Sequence, residues 1–355
     1  MAKKKQDLIN GTFREKKRNL KKIMAFGDGR ISGKTLENMK ACGSFMEFIA
    51  TVDKEKKKMV HGMFCKNRFC PVCAYRKARK DSYMLSIMME AIQAEKGYEY
   101  IFMTLTTPNV PADKLSEEID RFNKALSKLF RRKRVTTNVP ADKLSEEIDR
   151  FNKALSKLFR RKRVTTSIKG YVRKLEITYN KSRNDYNPHF HLIMAVPKHY
   201  FKMKGYYIKQ SEWLDMWRDV TGLDGINEDG TDEICSLDVR KVNGYRQEKA
   251  VSEIAKYSAK DFEITYSQDV FDTFYFAMKG RQLMTFNGVF KEYRKKYESG
   301  ELDHYKKKDE NDYFWFLTAS WMQKDANYSV AVRELTDDEK KFFAERYDKE
   351  GDETG

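Results

Sequence analysis

The spacing of apolar residues predicts alternating strands and helices between residues 98 and 241. Short apolar or alternating runs predict strands at 98–106, 171–179, 189–196 and 234–241. Apolar residues three and four apart predict one helix inside residues 109–137 and another at 211–221. The order βαββαβ predicts an α+β fold whose central antiparallel sheet, of the ferredoxin-like or RRM-like type, is flanked by helices.

The first of these helices lies in a perfect internal repeat. The segment NVPADKLSEEIDRFNKALSKLFRRKRVTT fills residues 109–137 and recurs without change at 138–166. Its apolar residues recur at spacings of four and three and are, in the first copy, Leu115, Ile119, Phe122, Leu126 and Leu129. Pro140 must break any helix running through both copies. Since the flanking strands leave one helix position, we expect the other copy to form an extra surface helix or to be poorly ordered.

The remaining segments predict appendages to this unit. Residues 1–40 are rich in Lys and Arg with little periodicity, which favours a mobile basic arm, and 41–95 form a cysteine-rich segment. A last helix is predicted at 248–262, closing a domain at 96–265. Residues 266–355 are expected to be a separate C-terminal α/β appendage with a hairpin around residues 315–332.

Charge indicates the class of partner. The chain has 70 Lys and Arg against 53 Asp and Glu, a formal charge of +17, so we expect it to bind polyanions, nucleic acid first. No apolar run is long enough to span a membrane, and the lysine-rich start does not resemble a signal peptide. We therefore expect a cytoplasmic protein without a membrane partner.

A metal site is predicted where two histidines share a strand. His189 and His191 are two residues apart, so both rings project from one face while Phe190 and Leu192 cover the other. Glu176, on the preceding strand, is the expected third ligand. Two imidazoles and one carboxylate leave coordination positions open for water and a phosphate oxygen, which suits Mn²⁺ or Mg²⁺ as a Lewis acid.

The predicted helix 248–262 carries a candidate nucleophile. Its polar face bears Glu253, Lys256, Tyr257 and Lys260. A phenol with a pKa of about 10 is a weak nucleophile until a base, cation or metal stabilises its oxyanion, and the two lysines are candidates for that charge. Glu253, one turn before the tyrosine, is a candidate second base. Taken alone, the pattern also fits an ordinary charged helix surface.

A cysteine cluster predicts a second metal site. Cys42, Cys65, Cys70 and Cys73 offer four thiolates, enough for a closed structural Zn²⁺ site. His61 is a competing fourth ligand, and ordinary buried thiols are the alternative. Basic residues in the same segment are expected to contact DNA phosphates, and they are Lys66, Arg68, Arg76, Lys77 and Arg79.

These motifs resemble, in order, those of plasmid Rep proteins of the HUH endonuclease superfamily, in the branch that pairs one tyrosine with a nearby glutamate. IFMTLTT resembles the first family motif, NPHFHLIMAVP the second and EIAKYSAKD the third. FCKNRFCPVC resembles the family's N-terminal cysteine block, and MTFNGVFKEYRKK is similar to a basic segment after the nuclease domain. The resemblance extends over about residues 40–290, and the duplicated segment departs from it.

The resemblance implies a rolling-circle replication initiator with an HUH-type nuclease domain. Tyr257 would attack a phosphodiester of the double-strand origin, keep the 5′ phosphate as a covalent adduct and release a 3′ hydroxyl that primes synthesis. Glu253 would serve termination. Because the sequence shows no nucleotide-binding motif of an ATP-driven motor, host helicase and DNA polymerase are expected partners. A homodimer is one assembly that fits this function.

Two other functions fit the same residues. An HUH transposase or conjugative relaxase would use the same tyrosine chemistry on another DNA, although Glu253 beside Tyr257 favours the plasmid initiator. A non-catalytic, zinc-stabilised DNA-binding regulator would need only the charge and the cysteines, with His189, His191 and Tyr257 merely packing. A nicking assay separates the regulator from both enzymes.

Overall fold

The structure is a computed structural model that describes residues 11–106, 112–130, 162–221, 237–243, 245–256 and 258–349. Its helices in chain order are α1 (Gly11–Gly27), α2 (Gly33–Ala41), α3 (Pro71–Lys96), α4 (Leu115–Phe130), α5 (Lys162–Ser167), α6 (Gln210–Thr221), α7 (Tyr245–Ala255), α8 (Asp261–Ile264), α9 (Gln268–Met278), α10 (Val289–Glu298) and α11 (Asp337–Lys349). Its strands are β1 (Phe45–Thr51), β2 (Lys57–Gly62), β3 (Tyr98–Thr106), β4 (Gly170–Asn180), β5 (Asp185–Pro197), β6 (Asp238–Val242), β7 (Met284–Gly288), β8 (Tyr313–Met322) and β9 (Asn327–Glu334).

The chain divides into two compact units, each assembled from separate stretches of sequence. The first unit comprises Met1–Met88, Ala255–Tyr275 and Lys296–Gly355, and the second comprises Met89–Ile254 and Phe276–Lys295. The sequence had predicted consecutive segments instead. None of the described helices combines the length and the apolar character needed to cross a membrane.

The second unit is built on a five-stranded sheet in the order β6-β3-β5-β4-β7, with neighbouring strands antiparallel. The first four of these strands have the arrangement of a ferredoxin-like βαββαβ fold, so the predicted α+β class is confirmed. The edge strand β7 was not predicted as a strand. The N-terminal part of the strand expected at 234–241 lies outside the described residues, as does most of the second repeat copy.

Strand alternation gives this sheet two chemically different faces. One face is apolar, because residues such as Met103, Leu105 and Leu192 are fully buried there. Helix α4 packs against α6 and β5. The Trp217 indole of α6 donates a hydrogen bond to the Thr106 carbonyl over 2.8 Å. The opposite face carries the polar residues that form the candidate site, next to buried apolar residues such as Val172 and Ile193.

The first unit joins distant parts of the chain in a four-stranded sheet, in the order β2-β1-β8-β9. The predicted C-terminal hairpin forms, but it is not a separate appendage, because β8 pairs antiparallel with β1. Leu317 and Ala319 of β8 are fully buried and lie opposite Phe48 and Met46. A hairpin alone would leave these apolar side chains in water, so pairing with β1 is the stable arrangement.

The prediction of an irregular basic arm at 1–40 is wrong for the described residues 11–40, which form α1 and most of α2. Phe13, Leu20 and Ile23 of α1 are buried at helical spacing. The lysines and arginines between them obscure this periodicity in the sequence. Burial of the apolar stripe, rather than intrinsic propensity, therefore stabilises the helix.

We predict that Gly288→Ala destabilises the second unit. Gly288 has φ +55°, and a Cβ there would collide with the carbonyl of Lys169 at the crossing of β4 and β7. The positive φ alone costs an alanine about 1–2 kcal/mol, and the backbone collision adds to this. The matched control is Gly280→Ala of the same unit, where φ is +72° and a Cβ meets nothing within 4 Å. Urea unfolding should show the larger loss for Gly288→Ala, and equal losses would contradict the steric explanation.

Candidate metal centres and active site

Two histidines and a glutamate converge on the polar face of the second unit's sheet. Glu176 of β4 lies directly opposite His189 of β5 in the antiparallel register. Its Oε2 is 3.0 Å from His191 Nε2 and 3.5 Å from His189 Nε2. One ligand atom from each of the three residues lies within 4.8 Å of the others. The structure therefore brings together the three residues that the sequence predicted as metal ligands, which are Glu176, His189 and His191.

Two hydrogen bonds orient the imidazole rings. His189 Nδ1 donates to the Asn187 carbonyl over 3.2 Å, which leaves Nε2 facing Glu176. His191 Nδ1 lies 3.2 Å from Thr104 Oγ1, and Phe102 stacks on the same ring with centroids 5.6 Å apart. Such outer contacts fix the tautomer and orientation of metal-binding histidines. Thr104 was not predicted, because its position opposite His191 follows from the pairing of β3 with β5.

The charge state of Glu176 suits a metal ligand. Burial by itself raises the pKa of this carboxyl group, but hydrogen bonds and charge from His189 and His191 more than offset it and lower the pKa below its ordinary value. The carboxyl group is thus an ionised oxygen donor beside two ring nitrogens. This donor set fits a divalent cation.

Glu253 brings a second carboxylate to the same centre. Its Oε1 is 3.8 Å from His191 Nε2, and its side chain is 28% exposed. The predicted helix 248–262 is wrong, however, because α7 ends at Ala255 and a new turn starts at Asp261. The helix that was predicted to carry both Glu253 and Tyr257 therefore ends before position 257. Tyr257 itself lies outside the described residues.

The chain between α7 and α8 is not helical at its described residues. Ser258 and Ala259 in this connection are both buried. The Lys260 carbonyl then accepts hydrogen bonds from the backbone amides of Glu263 and Ile264 and so begins the next turn. The Lys256 and Lys260 side chains are exposed, and Lys260 Nζ lies 3.6 Å from Glu263.

Four cysteines of the first unit form a second cluster. Cys42 Sγ lies 3.4 Å from the sulfurs of both Cys70 and Cys73, and Cys65 Sγ lies 3.6 Å from Cys73 Sγ. A tetrahedral Zn²⁺ site with Zn–S bonds of about 2.3 Å has sulfurs about 3.8 Å apart, so the thiols are nearly in place. His61 is not part of the cluster, because its exposed ring lies 3.5 Å from Glu47 instead.

A backbone amide and a buried lysine lie beside these thiols. The Lys66 amide donates to Cys73 Sγ over 3.2 Å, and hydrogen bonds from Cys42 and Cys65 lower the pKa of the Cys73 thiol. Lys17 of α1 is buried and donates to the Cys42 carbonyl and to Ser44 Oγ. Sequence reasoning missed Lys17, because its helix was not predicted.

The basic residues predicted to contact DNA differ in their surroundings. Lys66 and Arg68 are exposed on the loop between the cysteines. Arg76 stacks 3.5 Å from the centre of the Phe64 ring. Lys77 pairs with Asp81 over 2.8 Å, and Arg79 donates to the Tyr75 hydroxyl over 3.1 Å. Lys66, Arg68, Lys77 and Arg79 are thus exposed, whereas Arg76 is half-buried.

Comparison with known proteins agrees with these motifs. The family model described as replication protein matches residues 56–141 and 135–329. Protein rep of Staphylococcus aureus is 44% identical over 249 residues, 70% of this chain and 92% of that protein. Protein rep of Bacillus amyloliquefaciens is 31% identical over 294 residues, 76% of this chain and 75% of that protein. No solved structure matches the chain. This chain therefore belongs to the Rep family of replication proteins, the plasmid replication initiators that its motifs resemble.

Proposed function

We propose that this replication initiator binds the double-strand origin of its plasmid and nicks one strand by tyrosine attack. The observation that carries this proposal is the convergence of Glu176, His189 and His191, with Glu253 beside them, in a member of the Rep family. A regulator that only binds DNA would not need two carboxylates beside paired imidazoles. Burial of acidic groups costs free energy, and their negative charge repels the DNA phosphates.

The metal centre would prepare the phosphodiester for attack. When bound, a divalent cation polarises the scissile phosphate as a Lewis acid. His189 and His191 would hold the site through their Nε2 atoms, and Glu176 would supply the charged oxygen. Thr104 and Asn187 would keep the rings in the binding tautomer.

Tyr257 is the proposed nucleophile. Its oxygen would form a bond to the phosphorus while the bond to the 3′ oxygen breaks, leaving a 5′-phosphotyrosine and a 3′ hydroxyl. Its position two residues beyond the end of α7, whose Glu253 lies at the metal centre, supports this role. Glu253 would act as the second base when the strand is rejoined or replication ends. Lys256 and Lys260 remain candidates for positive charge near the tyrosine.

In the first unit, a Zn²⁺ ion bound by the four cysteines would stabilise the loop that exposes Lys66 and Arg68. These side chains would contact origin phosphates, and this electrostatic binding would weaken as salt is raised. Host helicase and DNA polymerase are the proposed partners after the nick, and a homodimer is the proposed assembly.

The proposed nucleophile predicts a covalent adduct. Incubation of the protein with single-stranded origin DNA and Mn²⁺ should give a protein–DNA band that survives denaturing electrophoresis. Tyr257→Phe should abolish this band while DNA binding stays within about threefold, because the phenyl ring keeps the shape and loses the nucleophile. Tyr207→Phe, at an exposed tyrosine of the second unit, is the matched control. An adduct formed by Tyr257→Phe would refute the assignment.

The cysteine cluster predicts about one zinc per chain by elemental analysis. Cys70→Ser should lose the zinc and lower the unfolding temperature, because metal binding is coupled to folding in such sites. His61→Ala is the control and should keep the zinc, since His61 lies outside the cluster. Full zinc content in Cys70→Ser, or none in the wild-type protein, would contradict the site.

The orientation of His191 predicts an effect of Thr104→Val. Loss of the hydroxyl removes the hydrogen bond to Nδ1 and should weaken Mn²⁺ binding by about tenfold or more. Thr285→Val, on the apolar face of the same sheet, is the control and should bind Mn²⁺ normally. Isothermal titration calorimetry measures both, and equal affinities would show that Thr104 does not orient the ring.

A further inference from the structure

A buried lysine lies on the same sheet face as the metal ligands. Lys174 of β4 is two residues before Glu176 and directly opposite His191 in the antiparallel register, so its side chain starts on the polar face of the sheet. Its exposed fraction is only 8%. Cross-strand neighbours on one face have Cβ atoms about 5 Å apart, which places the lysine stem beside the His191 ring.

Burying a lysine is costly, since the ammonium loses its hydration, and fully buried lysines are rare unless charges of opposite sign compensate them. Here the carboxylates of Glu176 and Glu253 lie at the same centre. Those carboxylates would repel an approaching phosphodiester. A lysine ammonium that reaches this centre from the same sheet face would offset that repulsion and supply a positive group besides any metal.

The other candidate cations are placed differently. Lys256 and Lys260 are exposed, and Lys260 lies near Glu263. An exposed ammonium is hydrated and mobile, so it stabilises developing charge weakly. Lys174 instead extends from a central region of the sheet, where both neighbouring strands hold its backbone. A charge held on a rigid element needs little reorganisation when the reaction occurs.

We propose that Lys174 contacts a non-bridging oxygen of the scissile phosphodiester and stabilises the negative charge that grows there during strand transfer. This inference rests on the proposed nicking function. In that step the tyrosine oxygen bonds to phosphorus, the bond from phosphorus to the 3′ oxygen breaks, the phenolic proton passes to a base and the 3′ oxygen gains a proton. Lys174 donates a hydrogen bond to the phosphate and keeps its own proton.

The test compares Lys174→Met with the wild-type protein in single-turnover adduct formation. The assay uses saturating single-stranded origin DNA with Mn²⁺. Methionine keeps most of the apolar stem and removes the charge, so the rate should fall about 100-fold or more. DNA affinity and Mn²⁺ affinity should change less than about threefold. Lys241→Met is the matched control, because Lys241 lies on the opposite face of the same sheet and should leave the rate unchanged.

A second variant separates chemistry from structure. Lys174→Ala should regain part of its activity when ethylamine is added, in proportion to the amine concentration, because a free ammonium can fill the vacated space. A residue needed only for packing would give no such rescue. Lys256→Met and Lys260→Met should each slow the reaction less than Lys174→Met.

Several outcomes would overturn the inference. These are a wild-type rate for Lys174→Met, a loss explained wholly by weaker Mn²⁺ or DNA binding, or no amine rescue of a folded Lys174→Ala. If the wild-type protein forms no adduct, the proposed nicking function is rejected, and the proposed role of Lys174 is rejected with it. An adduct in the wild type with unchanged kinetics in Lys174→Met would reject the role of Lys174 alone.

Discussion

The pairing register of β4 with β5 is the constraint on which the candidate active site depends. Glu176 meets His189 only because the strands turn back at residues 181–184 with no slip. Asn180 Oδ1 accepts hydrogen bonds from the Ser182 and Arg183 amides, and Asn184 adopts φ +52°, so the turn is held locally. A slip of one residue would move both histidines into the apolar core. The hydrogen bonds of the turn thus help to fix the register that places Glu176 opposite His189.

Both candidate metal centres place ionisable groups side by side. Four thiols within hydrogen-bonding distance cannot all ionise in a buried cluster. Ionised Glu176 is stabilised by the two imidazoles that face it. A bound cation relieves repulsion and desolvation at once, so metal affinity and folding are linked. The two centres nonetheless differ in coordination. Four thiolates close a tetrahedral site, whereas two imidazoles and a carboxylate leave positions for a substrate oxygen.

Local periodicity predicted much of the second unit correctly. The bounds of β3 match the prediction, and those of β4 and α6 differ by one residue. It failed where burial depends on distant partners. The apolar stripe of α1 is hidden among lysines, and the pairing of β8 with β1 joins residues far apart in the sequence. The end of α7 at Ala255 was missed because the helical spacing of Val251, Ile254 and Ala255 continues to Ser258, beyond the residue where the helix ends.

The sequence by itself determined which side chains share a strand face, because alternation in a strand is a local property. Alternation therefore predicted that His189 and His191 share one strand face, with Glu176 on the preceding strand. The clustering of the cysteines predicted the group of four thiols, and the order of the motifs indicated the family. Only the tertiary structure decided which residues from other elements meet them. Thr104 reaches His191 from β3, and Glu253 reaches it from α7. The burial of Lys174 likewise depends on packing around the sheet, and packing is set by all the elements together rather than by neighbours in the chain.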